Sequence, residues 1–62
     1  MRVWLYDEDD NLVWKGDLAT FAADNELEPD ELDEATRELT REGVLVGGGG
    51  AAPSWRLVRE GR

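Results

Sequence analysis

Neither cysteine nor histidine occurs in the 62 residues, so disulfides and the commonest metal staples are closed to this chain and its fold must come from packing. A chain this short buries only about 60% of its unfolded surface and is marginal in stability. Good packing or a partner has to supply the rest. Trp4, Trp14, Trp55, Phe21 and Tyr6 offer the large apolar area that a small core needs. Core is the expected place for the tryptophans, since leaving such area in water costs about 25 cal/mol per Å². Trp4 and Trp14 can join Trp55 in one aromatic cluster, or the first hairpin can present one of them to a second subunit. Residues 1–62 are expected to form a single small domain without a deep substrate cavity.

Residues 2–6, Arg-Val-Trp-Leu-Tyr, alternate in character, and residues 12–15 repeat the pattern after the polar stretch 7–11, which is a β-hairpin signal. Strict alternation puts Val3 and Leu5 opposite Arg2, Trp4 and Tyr6, and Leu12 and Trp14 opposite Val13 and Lys15. Gly16 is expected to end the strand. Asp17 then reads as the N-cap of a helix over residues 18–26, with Leu18, Phe21 and Ala22 as its apolar stripe. Pro29 reads as the first residue of a second helix, with Asp30 and Glu31 favoured by the helix dipole, Leu32, Ala35, Thr36 and Leu39 as the inner stripe, and Gly43 as the stop. Residues 44–46 and 55–59 are β-prone and expected to form a second hairpin with a loose loop over 47–54. The resulting expectation is an α+β fold of order ββααββ, two helices packed on a small antiparallel sheet. The pattern LxxATRELTREGVLV…WRLVR over residues 32–59 resembles the back half of a winged-helix domain, which implies a helix followed by a wing hairpin.

Charge is divided unevenly along the chain. Twelve of the first 34 residues are Asp or Glu, opposed only by Arg2 and Lys15. Residues 35–62 hold Arg37, Arg41, Arg56, Arg59 and Arg62 against Glu38, Glu42 and Glu60, and the whole chain carries a formal −8. Such a field repels nucleic acid and anionic membrane and attracts basic surfaces. In a DNA-binding winged helix the helix before the wing enters the major groove, but here it begins Pro29-Asp30-Glu31-Leu32-Asp33-Glu34, and no counterion release offsets four carboxylates facing phosphates. Direct nucleic-acid binding is therefore not expected of this helix, and Arg56, Arg59 and Arg62 are left as the cations able to touch phosphate from the wing. Part of the acidity has local work, since Asp33–Arg37, Glu34–Arg37 and Glu38–Arg41 are spaced as helical ion pairs worth a few tenths of a kcal/mol, roughly, each.

The hairpin tip and the junction between the helices remain unexplained by such local work. Carboxylates spread over a small scaffold can imitate the phosphates of a duplex. In size, acidity and lack of catalytic groups the chain resembles small phage-encoded inhibitors, including anti-CRISPR proteins. That resemblance implies stoichiometric occlusion of a basic nucleic-acid-binding protein or CRISPR effector complex. The candidate partner-binding residues are Asp7, Glu8, Asp9 and Asp10 on the first hairpin tip, continued by Asp24, Glu26, Glu28, Asp30, Glu31 and Glu34 across the helix junction. The alternative is a small winged-helix regulator or protein-interaction module from a host with an acidic proteome, with which a single Lys among seven basic residues is compatible.

Other chemistries fare worse. An EF-hand loop starting at Asp7 needs Gly at position 12 and Glu at position 18, and both are Leu. The run Gly47–Gly50 lacks the Lys-Ser/Thr of a phosphate-cradling loop and reads as a hairpin tip. Ser54, Thr20, Thr36, Thr40, Tyr6 and Lys15 are the available nucleophiles, with no His or Cys to activate them, so neither an enzyme nor a cofactor is expected. No basic segment followed by an apolar stretch opens the sequence, and no apolar run approaches the roughly 18 residues of a spanning helix. The expectation is a cytoplasmic protein, monomeric or a small homo-oligomer, without a membrane partner.

Overall fold

A computed structural model describes residues 1–61. Arg62, one of the cations considered for phosphate contact, lies outside the described residues. The elements follow the expected order: β1 (Arg2–Tyr6), β2 (Leu12–Asp17), α1 (Leu18–Asp24), α2 (Pro29–Glu42), β3 (Val44–Gly49) and β4 (Ala52–Arg59). The four strands form one antiparallel sheet in the order β2-β1-β4-β3, and both helices pack on one of its faces, α1 against β2 and α2 against β3 and β4. The fold is α+β. The hairpin that the winged-helix resemblance would make a wing is joined to the first hairpin through β1 and β4.

Alternation decides which residues go inside. Val3, Leu18, Phe21, Leu39 and Leu57 form the buried cluster, with Ala22 and Ala35 beside them and Leu5, Trp14, Leu27, Leu32, Leu45 and Trp55 half-buried around it. Every strand contributes to the row Trp14–Leu5–Leu57–Leu45 on the helix side. Arg59, in register with Val3, reaches from the sheet to the Thr40 carbonyl at 3.4 Å, near the negative end of α2. No polar or charged residue among those described is buried.

Three local expectations are corrected. Leu12 and Trp14 do not share a face. The register pairs Leu5 with Trp14 but Tyr6 with Leu12, skipping Val13 as a bulge, so Leu12 turns to the face away from the helices while Trp14 joins the core side. Gly16 does not end β2, which runs on through it in register with Val3. The third correction concerns residues 47–54, which are no loose loop, since β3 stays paired through Gly47 and Gly49.

The last two corrections share one cause. A Cβ on Gly16 would come within 2.6 Å of the Trp14 ring, and one on Gly47 within 2.1 Å of the Trp55 ring, so each indole lies on a bare stretch of backbone. Both glycines are strand residues because a tryptophan takes the space a side chain would fill. At the turn, Gly48, Gly49 and Gly50 all have positive φ, which the run of glycines permits without strain. Pro53 fits in β4 because it falls in the register shift between Gly47 and Gly49 and beyond the residues paired with β1, where no N–H is needed.

The helices begin and end by local rules. Asp17 Oδ1 accepts the Ala19 N–H at 3.0 Å and caps α1. At the start of α2, the Glu28 N–H donates to Glu31 Oε1 at 2.9 Å, one arm of a capping box. Gly43, at φ 79°, closes α2 with its N–H on the Leu39 carbonyl. Helix α1 ends two residues before the expected boundary. Glu26 N–H meets the Ala23 carbonyl and Leu27 N–H the Ala22 carbonyl, the paired bonds of a Schellman turn. Glu26 occupies its left-handed position at φ 55°, where glycine is the usual residue.

Candidate functional site

Helix α1 is too short to cover the length of the sheet. At 1.5 Å per residue the seven residues of α1 span about 10 Å, whereas the eight of β4 span about 26 Å. Beyond the end of α1, toward the hairpin tips, the helix side of the sheet therefore stays open as a groove of about 760 Å³. Its floor is mostly apolar, made by Leu5, Phe21, Leu27, Leu45 and Trp55, and Val13 also lines it. The floor is held by ring packing: Phe21 stands between Trp14, at 6.0 Å between centroids, and Trp55, at 5.7 Å in an edge-on arrangement.

Carboxylates rim this floor. Glu31, Glu34 and Glu38 recur at i, i+3 and i+7, which places them on one stripe of α2, and Asp7 joins them from the end of β1. Among the described residues no Lys or Arg lines the groove. Asp7 is fixed in place, its Oδ1 accepting the N–H groups of Asp9 and Asn11, both at 2.9 Å. The Asn11 N–H is the main cause, with Asp9 adding to it, that holds the Asp7 carboxyl below its ordinary pKa against an opposing desolvation.

Of the ten expected partner-binding residues, the structure brings Asp7, Glu31 and Glu34 together around the groove, and Asp24 lines a smaller neighbouring hollow with Asn25. Glu8, Asp9, Glu26, Glu28 and Asp30 are exposed around the tip and the helix junction. Asp10 is drawn to Arg56 at 2.9 Å. Among the described residues, Asp10 and Asp17 are the only carboxylates of the first 34 residues with a cationic group within 4.0 Å, Asp17 meeting the chain's amino group at 3.7 Å. Of the helical pairs expected on α2, Glu38–Arg41 forms and Arg37 makes neither of its two. Sequence reasoning missed Glu38 as a rim residue, although its spacing from Glu31 and Glu34 was visible, and missed the apolar floor, which exists only where strands and helices meet.

The opposite face of the sheet has different chemistry. Two rows cross it, Lys15–Trp4–Val58–Val44 and Leu12–Tyr6–Arg56–Val46. Lys15 lies 5.9 Å from the Trp4 ring and Arg56 5.1 Å from the Tyr6 ring, and Glu60 accepts from Trp4 Nε1 and pairs with Arg2. Trp4 thus stands apart from the Trp14–Phe21–Trp55 cluster. Among the described residues no group of three or more His, Cys, Asp or Glu side chains is placed to hold a metal ion, and no helix is long and apolar enough to cross a membrane. Comparison with family models, with curated proteins and with solved structures found no match to this chain.

Proposed function

We propose that this protein is a non-enzymatic inhibitor, an acidic DNA mimic that occupies a basic nucleic-acid-binding surface of a target protein, in the manner of anti-CRISPR proteins that block target-DNA recognition. The observation that carries the reading is the shortage of internal counterions. Only Asp10 and Asp17 of the twelve amino-terminal carboxylates have a cation within 4.0 Å among the described residues, so the rest keep their charge without an ion-pair partner at that distance. A Lys/Arg surface built for phosphates would gain from such groups for the reason it gains from DNA, and would lose that gain as salt rises.

The test uses the protein as bait in a lysate of its native host, with duplex DNA added as competitor. Capture of a nucleic-acid-binding protein that DNA displaces and that rising salt releases supports mimicry. The side-chain carboxylates of Glu8, Asp9, Asp30 and Glu34 make no hydrogen bond or ion pair described for this fold, so converting them together to Gln and Asn should abolish capture and leave the fold intact. Capture indifferent to DNA and salt would overturn the reading. It would favour instead a protein-interaction module working through the uncovered sheet face, a reading supported by the exposure of Leu12 and Val46 there.

A further inference from the structure

We infer that the groove on the helix side receives a basic amphipathic peptide segment of the partner protein, its apolar side chains on the Phe21–Leu45–Trp55 floor and its Lys or Arg residues on Glu34, Glu38 and Asp7. The inference rests on the proposed reading for the basic character of the partner, and goes beyond it by naming what part of that partner binds.

Charge alone would not need this shape. A phosphate mimic presents carboxylates on a convex or flat surface, whereas here the rim carboxylates stand over a mostly apolar trough that no Lys or Arg among the described residues lines. Apolar side chains entering the trough leave water, and Lys or Arg beside them meet acidic partners at the edge of a low-dielectric patch, where such pairs are stronger than on an open surface. Glu34 is free to take that role, having no cation within 4.0 Å among the described residues. Glu38 would exchange Arg41 for a partner cation. The groove lies within the size range of ligand clefts but is half open to solvent, which suits a few side chains of a peptide laid across it and not an enclosed small molecule. Helix-in-groove recognition works by such anchors at i, i+3, i+4 and i+7.

The test compares two synthetic peptides of equal length and equal positive charge, one with leucines at helical spacing between its Lys and Arg residues, the other with serines there. The full chain carrying Trp4→Phe leaves Trp14 and Trp55 as the fluorescent reporters, and amide shifts of Leu27, Leu45 and Gly47 in the unmodified chain give a second readout. At about 150 mM salt the leucine peptide should bind about tenfold more tightly than the serine peptide, blue-shift the emission and move those amides. Glu34→Lys should weaken it about fivefold, and Val44→Thr on the far face should not. Equal binding of both peptides, lost as salt rises, would overturn the groove and leave the charge reading standing. Binding sensitive to Val44→Thr and not to Glu34→Lys would overturn it by moving the site to the open face. Failure of both peptides to bind would also overturn it, while the DNA competition judges the wider reading separately.

Discussion

On the helix side of the sheet Val3 and Leu57 are fully buried, while on the other side Leu12 is 46% and Val46 68% exposed, although all four are aliphatic strand residues. The charges divide with the faces. Among the described residues Asp7, Glu31 and Glu34 stand around an apolar groove with no cation in contact and Glu38 pairs with Arg41, whereas on the open side Lys15 and Arg56 lie near aromatic rings and Arg2 and Arg56 each meet an acid. The seven-residue α1 covers its side of the four-stranded sheet only in part. The groove follows from the short α1 and the bare face from both helices packing on one side, and each leaves apolar area that a partner can use. What separates them is the balance of charge at the edge, mostly acid around the groove and cations paired with acids on the open face.

The comparison breaks first, and most visibly, in stability. Leu57→Ala should cost about 2–5 kcal/mol, enough to unfold much of so small a domain, while Val46→Thr should stay within about 0.5 kcal/mol. Urea melts of the two variants check this, and similar losses would mean that the open face is in fact covered. Gly47→Ala is next. Its methyl would strike the Trp55 ring, so a loss of about 1–3 kcal/mol is expected, together with loss of the near-ultraviolet circular dichroism that the packed indole gives.

At the foot of α1 the sign should reverse. Glu26→Gly removes a left-handed residue that carries a Cβ, and a net gain of about 0.5–1 kcal/mol is expected after the added freedom of the unfolded chain is counted. A neutral result in thermal melts would show that the Schellman turn holds Glu26 without strain. Asp7 should give the smallest effect. Its folded pKa is depressed, so its stabilisation is present above its unfolded value and is lost as pH falls through the folded one. Asp7→Asn should flatten that acid limb of the stability curve, and an unchanged limb would assign the acid sensitivity to other carboxylates.

Much of this fold was legible because it follows from local rules. Asp17 before an apolar stripe, Pro29 followed by Asp30 and Glu31, and Gly43 after Glu42 mark helix ends whatever the rest of the chain does. The misread places were those where a residue's conformation answers to something distant in space. Gly16 and Gly47 look like breakers until an indole is laid over them, and Leu12 and Trp14 look like face-mates until the bulge at Val13 separates them. Of the candidate site, the surplus of acid was visible, as was its lack of cations nearby in sequence. That Asp10 would turn to Arg56, and that Asp7 would face Glu31 and Glu34 across a trough, was not.

By itself the sequence determined the elements, their order, the inner stripes of both helices and an excess of negative charge, because helix caps, strand alternation and net charge depend on residues close together in the chain or on simple totals. Only the tertiary structure decided which carboxylates gather around an apolar floor, which tryptophan leaves the cluster, and which sheet face stays uncovered. Those depend on register and on how far α1 and α2 reach, where one skipped residue or one early helix end reassigns a side chain to another surface.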